Sequence, residues 1–134
     1  MININWSEQL KLRVRESTEA QYKHLLVKSL IMLAIRIKHS KNLKHQLIYS
    51  EFPICEGKIC DIYNEDLKQK AVYCYEIQDY VTPQWIEETN KIYEKFEELK
   101  TKCGFKSVDW ILIKLNDMPE DIEEVWEWVK NQVI

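Results

Sequence analysis

Three short apolar runs, separated by two polar turns, restrict the possible folds of this chain more than any other feature. The segments "LIYSEFPI" and "KICDIYN" flank the turn Glu56-Gly57, and "KAVYCYEIQ" follows the polar segment "EDLKQ". Runs of this length, rich in β-branched and aromatic residues and bounded by turn residues, are typical of β-strands. The sequence therefore predicts three consecutive strands joined by short turns.

Helix signals lie on both sides of these strands. The segment "STEAQ" offers Thr18 as an N-cap with Gln21 three residues later, and a helix is predicted from there to about residue 40. Its middle is apolar nearly all round, which predicts packing on both sides. The segment "VTPQW" begins a second helix with Thr82 as N-cap and Pro83 at the first helical position, and Gly104 ends it.

The remaining segments complete an α/β pattern. The segment "SVDWILIKL" predicts a fourth strand, and "MPEDIEEVWEWVKNQV" predicts a closing helix with Pro119 in its first turn. Near the N-terminus, "QLKLRVR" fits a short amphipathic strand or a helix. The expected fold is a central mixed sheet of four to five strands, covered by helices on both faces, with an αβββαβ core plus a C-terminal helix.

Composition and cysteine content bound the class of protein. A chain of 134 residues, 46% of them hydrophobic, predicts a single domain, residues 1–134, with a substantial core. No apolar h-region and no apolar run of about 18 residues occurs, so we expect a soluble, intracellular, cytoplasmic protein without a membrane partner. The four cysteines form no C-x-x-C motif. Cys55 and Cys60 flank a turn and could form a disulfide, or remain reduced as packing residues.

Charge is segregated along the chain. Residues 1–44 contain nine Lys and Arg against three Glu, whereas residues 45–134 contain ten against nineteen acids. The basic run "IRIKHSKNLKH" could be a solvated helix end or a patch that faces phosphates. The overall net charge of −3 does not exclude nucleic acid, because a local patch can suffice.

Acidic residues within the predicted strands raise a chemical question. Residues two apart share a face of a strand, so Glu76 and Gln78 should point to the same side, with Cys74. On the neighbouring strand, Asp61 should share a face with Tyr63. Asp61 then meets Glu76 as a carboxylate pair if the register allows. A divalent cation removes the repulsion within such a pair, and oxygen ligands suit Mg²⁺ or Mn²⁺. Alternatively, Asp61 ends a strand and Glu76 pairs with a lysine on a solvent-facing surface.

Several segments in this order resemble one family. The αβββαβ order, with "CDIY" and "CYEIQ", resembles the PD-(D/E)XK nuclease superfamily, which has the restriction-endonuclease-like fold. Asp61 matches the acid of its second motif, and Glu76-Ile77-Gln78 matches the E-x-K triplet with Gln in place of Lys. The E-x-Q variant, "STEAQYKHLLVKSL", "YSEFPICEGKICDIY" and "VDWILI" resemble the CoiA-like branch, over roughly residues 17–115.

The resemblance implies a catalytic site. Asp61, Glu76 and the backbone carbonyl of Ile77 would hold Mg²⁺ or Mn²⁺. Glu51 would bind a second metal ion or orient water, or it is a polar face residue without such a role. The lysine of the family's triplet would position water and oppose phosphate charge, whereas Gln78 can position water but has no charge.

A cation from elsewhere would then replace the missing lysine. His24 and Lys28 are four apart and share a helical face, so they could reach a phosphate over the site, or they are a packed histidine and a surface lysine. Lys28 with His24 is preferred over Lys91, and Lys58 is a further candidate. Tyr93 is a core residue, or it forms part of the active-site floor and contacts DNA there.

The interpretation is a Mg²⁺- or Mn²⁺-dependent deoxyribonuclease whose partner is DNA. A junction-resolving enzyme of the same superfamily, acting as a dimer, and a non-catalytic DNA-binding protein with this fold stay open. Trp128 lies off the helical stripe formed by Ile122, Val125 and Val129, which leaves a contact with a second copy of the chain open.

Overall fold

A computed structural model describes residues 19–134 and contains the elements in the predicted order. The first helix, α1, spans Glu19–Lys38. Three strands follow, then a helix, a strand and a last helix: β1 Gln46–Cys55, β2 Lys58–Asp66, β3 Ala71–Gln78, α2 Pro83–Lys102, β4 Ser107–Lys114 and α3 Ile122–Gln132. Short 3₁₀ helices span Ser40–His45 and Leu115–Asp117. The predicted Thr18 cap and the "QLKLRVR" segment lie outside the described residues.

The strands form one mixed sheet in the order β1-β2-β3-β4. β1 pairs antiparallel with β2, β2 pairs antiparallel with β3, and β3 pairs parallel with β4. The parallel pair requires a crossover, which α2 supplies. The α/β class and the four-stranded mixed sheet are confirmed, and within residues 19–134 no fifth strand joins the sheet.

Helices cover both faces of the sheet, as predicted. On one face, α1 and α3 pack against alternate residues of the central strands, including Ile62, Tyr75 and Ile77. On the other face, Tyr93 and Phe96 of α2 pack against a second set: Ile54, Cys60, Tyr63, Val72, Cys74 and Val108. Because strand residues alternate between faces, β3 contributes to both cores and is buried along nearly its whole length.

The ends and faces of the helices differ from the prediction in two places. Leu33 and Ile37 of α1 are 48% and 56% exposed, so the expected packing on both sides of that helix is wrong. α3 begins at Ile122 with Asp121 as its N-cap, so Pro119 precedes the helix rather than lying in its first turn. The start of α2 is confirmed, because the Thr82 side chain accepts a hydrogen bond from the Trp85 amide.

Three smaller expectations also have an outcome. All four cysteines are free, so no disulfide joins Cys55 and Cys60. Trp128 packs against the core cluster of α1 and α3, whereas Ile122 of the expected stripe is 47% exposed. Trp128 therefore gives no support for a contact with a second copy. No helix within residues 19–134 has the length and apolar character needed to cross a membrane.

Candidate functional site

Three predicted acidic residues lie in one row across the sheet, where the ladder between β2 and β3 ends. The last residue of β2 that pairs on both sides is Ile62, with Ser50 on β1 and Tyr75 on β3. The next position toward the open end of each strand carries a carboxylate: Glu51, Asp61 and Glu76. β1 and β2 pair again at Phe52 and Cys60, whereas β2 and β3 do not. The register therefore places three acidic residues that are far apart in sequence at neighbouring positions of adjacent strands.

Asp61 occupies the gap that opens between β2 and β3. Its Oδ2 accepts a hydrogen bond from the Ile77 amide at 2.7 Å, and its Oδ1 lies 3.1 Å from Nε2 of His24 on α1. Asp61 thus takes the place of the missing backbone partner of Ile77. In an antiparallel ladder, the N–H and C=O of one residue face the same neighbouring strand. The Ile77 carbonyl therefore points toward the same gap as its amide.

Glu76 is the most deeply buried acid of the row, with 1% exposure. Its Oε1 accepts a hydrogen bond from the Tyr93 hydroxyl at 2.5 Å and lies 3.2 Å from Nζ of Lys58. Burial raises the pKa of Glu76 above its ordinary value, although Tyr93 and Lys58 oppose the shift, and the charge of Asp61 raises it further. The Asp61 charge is therefore close enough to disfavour the ionised form of Glu76.

Glu51 is held at the surface by a basic partner. Its Oε1 lies 3.3 Å from Nζ of Lys28, and its side chain is 68% exposed. Its φ of 52° is in the left-handed region, which non-glycine residues seldom adopt in a strand. This conformation coincides with the skipped pair between Ser50 and Phe52, so the backbone of β1 is distorted beside Asp61.

Each acid of the row has its own basic side chain. His24 contacts Asp61, Lys28 contacts Glu51, and Lys58 contacts Glu76. The two residues of α1 approach the row from one helical face, as their spacing of four predicts. Lys58 comes instead from the first position of β2, which lies beside the end of β3 because the two strands are antiparallel.

The prediction that Asp61 and Glu76 share a face is wrong in one respect. Glu76 does lie on the Cys74 side, because its carboxylate meets Tyr93 of α2. Asp61 was expected there with Tyr63, but it contacts His24 of α1 on the opposite side. Cys60 packs with Tyr63 although the two are three residues apart, so the alternation of β2 breaks at Asp61. The two carboxylates are adjacent along the row but are approached from opposite faces.

Gln78 lines a cavity beside the row. The cavity has a volume of about 370 Å³, and Gln21, His24, Ile77 and Asp79 also line it. His24 and Ile77, the residues that contact Asp61, are among these lining residues, so the cavity opens next to Asp61.

Two predicted DNA-contacting residues occupy other environments. Tyr93 is 3% exposed and packs in the core, so in this structure its hydroxyl positions Glu76 rather than reaching the surface. Lys91 has a side chain that is 67% exposed and pairs with Glu87 one turn earlier on α2, at 3.5 Å. Of the predicted set, Lys91 is the residue that the fold does not bring to the row.

The donor atoms at the gap are those that a hard divalent cation prefers. The Asp61 carboxylate and the Ile77 carbonyl share the gap, and the Glu76 carboxylate follows in the same row. The Asp61 charge raises the pKa of Glu76, which also fits a cation between the two carboxylates. Among residues 19–134, however, no three His, Cys, Asp or Glu side chains form a group that could hold a metal ion. A cation here would depend on the backbone carbonyl as its third ligand.

Sequence reasoning missed the partner of Glu76. Lys58 was one of three candidate cations and was not the preferred one, although it follows the turn Glu56-Gly57 at the same end of the sheet as Glu76. The antiparallel order of the strands could have indicated this proximity. The hydrogen bond from Tyr93 to Glu76 had no comparable signal in the sequence, because it depends on how α2 lies across the sheet.

Comparison with protein-family models, curated proteins and solved structures finds no match to this chain.

Proposed function

We propose that this protein is a Mg²⁺- or Mn²⁺-dependent nuclease that hydrolyses phosphodiester bonds in DNA. The αβββαβ order, the mixed sheet and the row of acids are what the resemblance to the restriction-endonuclease-like fold implies. The observation that carries the proposal is the open gap between β2 and β3. There the Asp61 carboxylate bonds to the Ile77 amide, beside buried Glu76.

The residues at this gap have separate roles in the proposed reaction. Asp61, the Ile77 carbonyl and Glu76 would hold the metal ion, which supplies charge neutralisation and a more acidic water when bound. Gln78 lines the adjoining cavity and can orient a water by hydrogen bonding. In hydrolysis the water oxygen bonds to phosphorus, one P–O ester bond breaks, and a proton from water passes to the leaving oxygen.

The α1 helix would approach the DNA backbone. His24 and Lys28 lie on its face toward the row, and the chain is most basic in its first 44 residues. Cations placed along a phosphate backbone supply affinity without sequence preference. The proposal therefore assigns binding chiefly to α1 and chemistry to the ends of β2 and β3.

The test is incubation with linear, single-stranded and branched DNA, with Mg²⁺, Mn²⁺ or EDTA. We expect cleavage only with a metal ion, and Asp61→Asn or Glu76→Gln should lower the rate by roughly a hundredfold or more. Asp109→Asn, which removes an exposed acid from β4, is the matched control and should cleave normally. Cleavage by Asp61→Asn and Glu76→Gln at the normal rate would refute the assignment.

A second candidate is a DNA-binding protein that has this fold without catalysis. The observation that favours it is the pairing of each acid with its own basic side chain, together with the approach to Asp61 and Glu76 from opposite faces. In such a site a basic side chain lies against each acid without a metal ion. Calorimetry measures whether Mn²⁺ binds at the row and so separates the two candidates. A non-catalytic DNA-binding protein would bind DNA but would neither bind the ion at the row nor cleave the DNA.

A further inference from the structure

Lys58 is held at the buried acid of the row by two contacts. Its Nζ lies 3.2 Å from Oε1 of Glu76 and 5.0 Å from the centre of the Trp85 ring. The side chain is only 15% exposed, although it follows a surface turn. An ammonium over an indole face is attracted by the ring quadrupole, so Trp85 supports a cation that would otherwise lose hydration here.

Aromatic side chains link Trp85 back to the same carboxylate. The rings of Trp85 and Trp110 meet edge to face at 6.0 Å, and Trp110 stacks on Tyr93 at 5.7 Å. The Tyr93 hydroxyl then bonds to Glu76, the partner of Lys58. The Trp110 indole donates a hydrogen bond to Asn90, which further fixes this ring. Trp85, Trp110 and Tyr93 thus form a continuous series of aromatic contacts between Lys58 and Glu76.

The other basic side chains near the row are less suited to the buried acid. Lys28 pairs with Glu51, whose side chain is 68% exposed, and His24 contacts Asp61 from the α1 side. Lys58 is the basic side chain that contacts Glu76 from within residues 19–134. A phosphodiester that enters the row adds negative charge to three carboxylates, and a fixed cation is most effective where water is excluded.

We propose that Lys58 is a catalytic cation of this site, which contacts a non-bridging oxygen of the scissile phosphodiester, and that Trp85 is its positioning residue. This inference rests on the proposed nuclease function. Lysine has a flexible four-carbon stem, so the ammonium can move from Glu76 to a phosphate oxygen. Trp85 limits that movement to the neighbourhood of the row.

Four variants test the role: Lys58→Met, Lys58→Arg, Trp85→Leu and, as the control, Lys95→Met. Lys95 is an exposed lysine of α2, outside the row. Single-turnover cleavage is measured at saturating DNA with Mn²⁺, DNA affinity is measured in EDTA, and thermal melting shows whether each variant folds. Lys58→Met should lower the rate about a hundredfold. Its DNA affinity should change less than about threefold, because one backbone contact carries little of the total.

The remaining variants separate chemistry from packing. Lys58→Arg should restore the rate to within about tenfold of wild type, because it returns the charge with a different geometry. Trp85→Leu should lower the rate about tenfold without a matching loss of affinity, since it leaves the ammonium in place but less well oriented. Lys95→Met should cleave as the wild type does. If Lys58→Met does not fold, Lys58→Arg and Trp85→Leu still measure charge and position.

Failure of this inference and failure of the nuclease function give different results. A wild type that cleaves, a Glu76→Gln variant that does not, and a Lys58→Met variant at the wild-type rate would overturn the role of Lys58 alone. An equal loss of affinity and rate in Lys58→Met would make Lys58 a binding residue and would also overturn it. A wild type that cleaves no DNA with either ion overturns the nuclease function, and the role of Lys58 with it.

Discussion

The two ends of the β2–β3 ladder each bury an acid, but they satisfy it in opposite ways. At the closed end, Asp66 is 3% exposed, and its Oδ1 accepts hydrogen bonds from the amides of Lys68 and Gln69 at 3.0 and 2.9 Å. At the open end, Glu76 is 1% exposed and is held by the side chains of Tyr93 and Lys58. The closed end uses backbone of its own turn, and the open end uses side chains of distant elements.

The pKa values of these two acids move in opposite directions. Burial alone raises the pKa of Asp66, but the hydrogen bonds from the Gln69 and Lys68 amides, together with the nearby Gln46 side chain, outweigh it, and the pKa lies below its ordinary value. Burial of Glu76 prevails over the effects of Tyr93 and Lys58, and its pKa is raised. Backbone donors outweigh the burial of Asp66, whereas the ionised form of Glu76 still carries a desolvation cost, which a bound cation could relieve.

The largest expected difference between the two ends is in cleavage. Glu76→Gln should lower the rate by roughly a hundredfold or more, because it removes a charge from the proposed metal site. Asp66→Asn removes an equally buried charge and should keep the rate within about twofold, since Asp66 lies far from the gap along the ladder. Both are measured on the same DNA with Mn²⁺. A comparable loss in the two variants would mean that buried acids here affect activity only through stability.

The free energy of unfolding should respond in the opposite order, with a larger loss for substitution of Asp66 than for substitution of Glu76. Asp66→Ala leaves two turn amides without their acceptor and should lower the free energy of unfolding by about 1–3 kcal/mol. Glu76→Gln in EDTA should leave the free energy of unfolding unchanged or increase it, because it removes a carboxylate whose ionised form is disfavoured by burial. Urea unfolding at neutral pH measures both. A greater loss of unfolding free energy in Glu76→Gln than in Asp66→Ala would contradict the conclusion that Glu76 is the less well stabilised of the two buried acids.

The pH dependence of stability should separate the two acids in sign. The pKa of Asp66 is lowered, so its contribution is present above the ordinary value of 3.8 and is lost as pH falls through the folded value. The pKa of Glu76 is raised, so its contribution is fully present below the ordinary value of 4.5 and is lost as pH rises through the folded value.

Metal-free unfolding of the wild type, Asp66→Asn and Glu76→Gln over a pH series tests these signs. The gain of Glu76→Gln over wild type should grow as pH rises from 4.5. The loss in Asp66→Asn should shrink as pH falls below 3.8. Parallel curves for the three proteins would show that neither acid titrates differently in the folded and unfolded chains.

The smallest expected effect is at the exposed pair of the open end. Lys28→Met should weaken DNA binding only a few-fold and reduce the salt slope by about one unit, as expected for one phosphate contact. The cleavage rate at saturating DNA should stay within about twofold of wild type, because Glu51 is largely exposed and its pairing with Lys28 adds little. Binding is measured across a salt series. A lower rate at saturation would move Lys28 from binding to chemistry.

The order of the elements and most of the acids in the row follow from local patterns. Short apolar runs, the turn at Gly57 and the Thr82-Pro83 helix start predict strands and helices because backbone conformation depends on neighbouring residues. The two-residue spacing likewise predicts that Glu76 faces the Cys74 side, and this is confirmed. Local periodicity also indicated Asp61 and Glu51 as polar positions within strands.

Local patterns failed where one residue breaks the periodicity. A strict alternation places Asp61 with Tyr63, but β2 is irregular between Cys60 and Ile62, and the carboxylate turns to His24 instead. The positive φ of Glu51 lies at the adjacent position of the neighbouring strand. Neither residue is a glycine, so no residue type at either position indicates the distortion.

The sequence by itself determined which segments become strands and helices and which acids lie within them. The tertiary structure alone decided the partners of those acids: His24 for Asp61, and Lys58 with Tyr93 for Glu76. The physical reason is range, because secondary structure arises from interactions over a few residues. The charge environment of a buried acid instead depends on elements that meet only after the sheet and helices have packed.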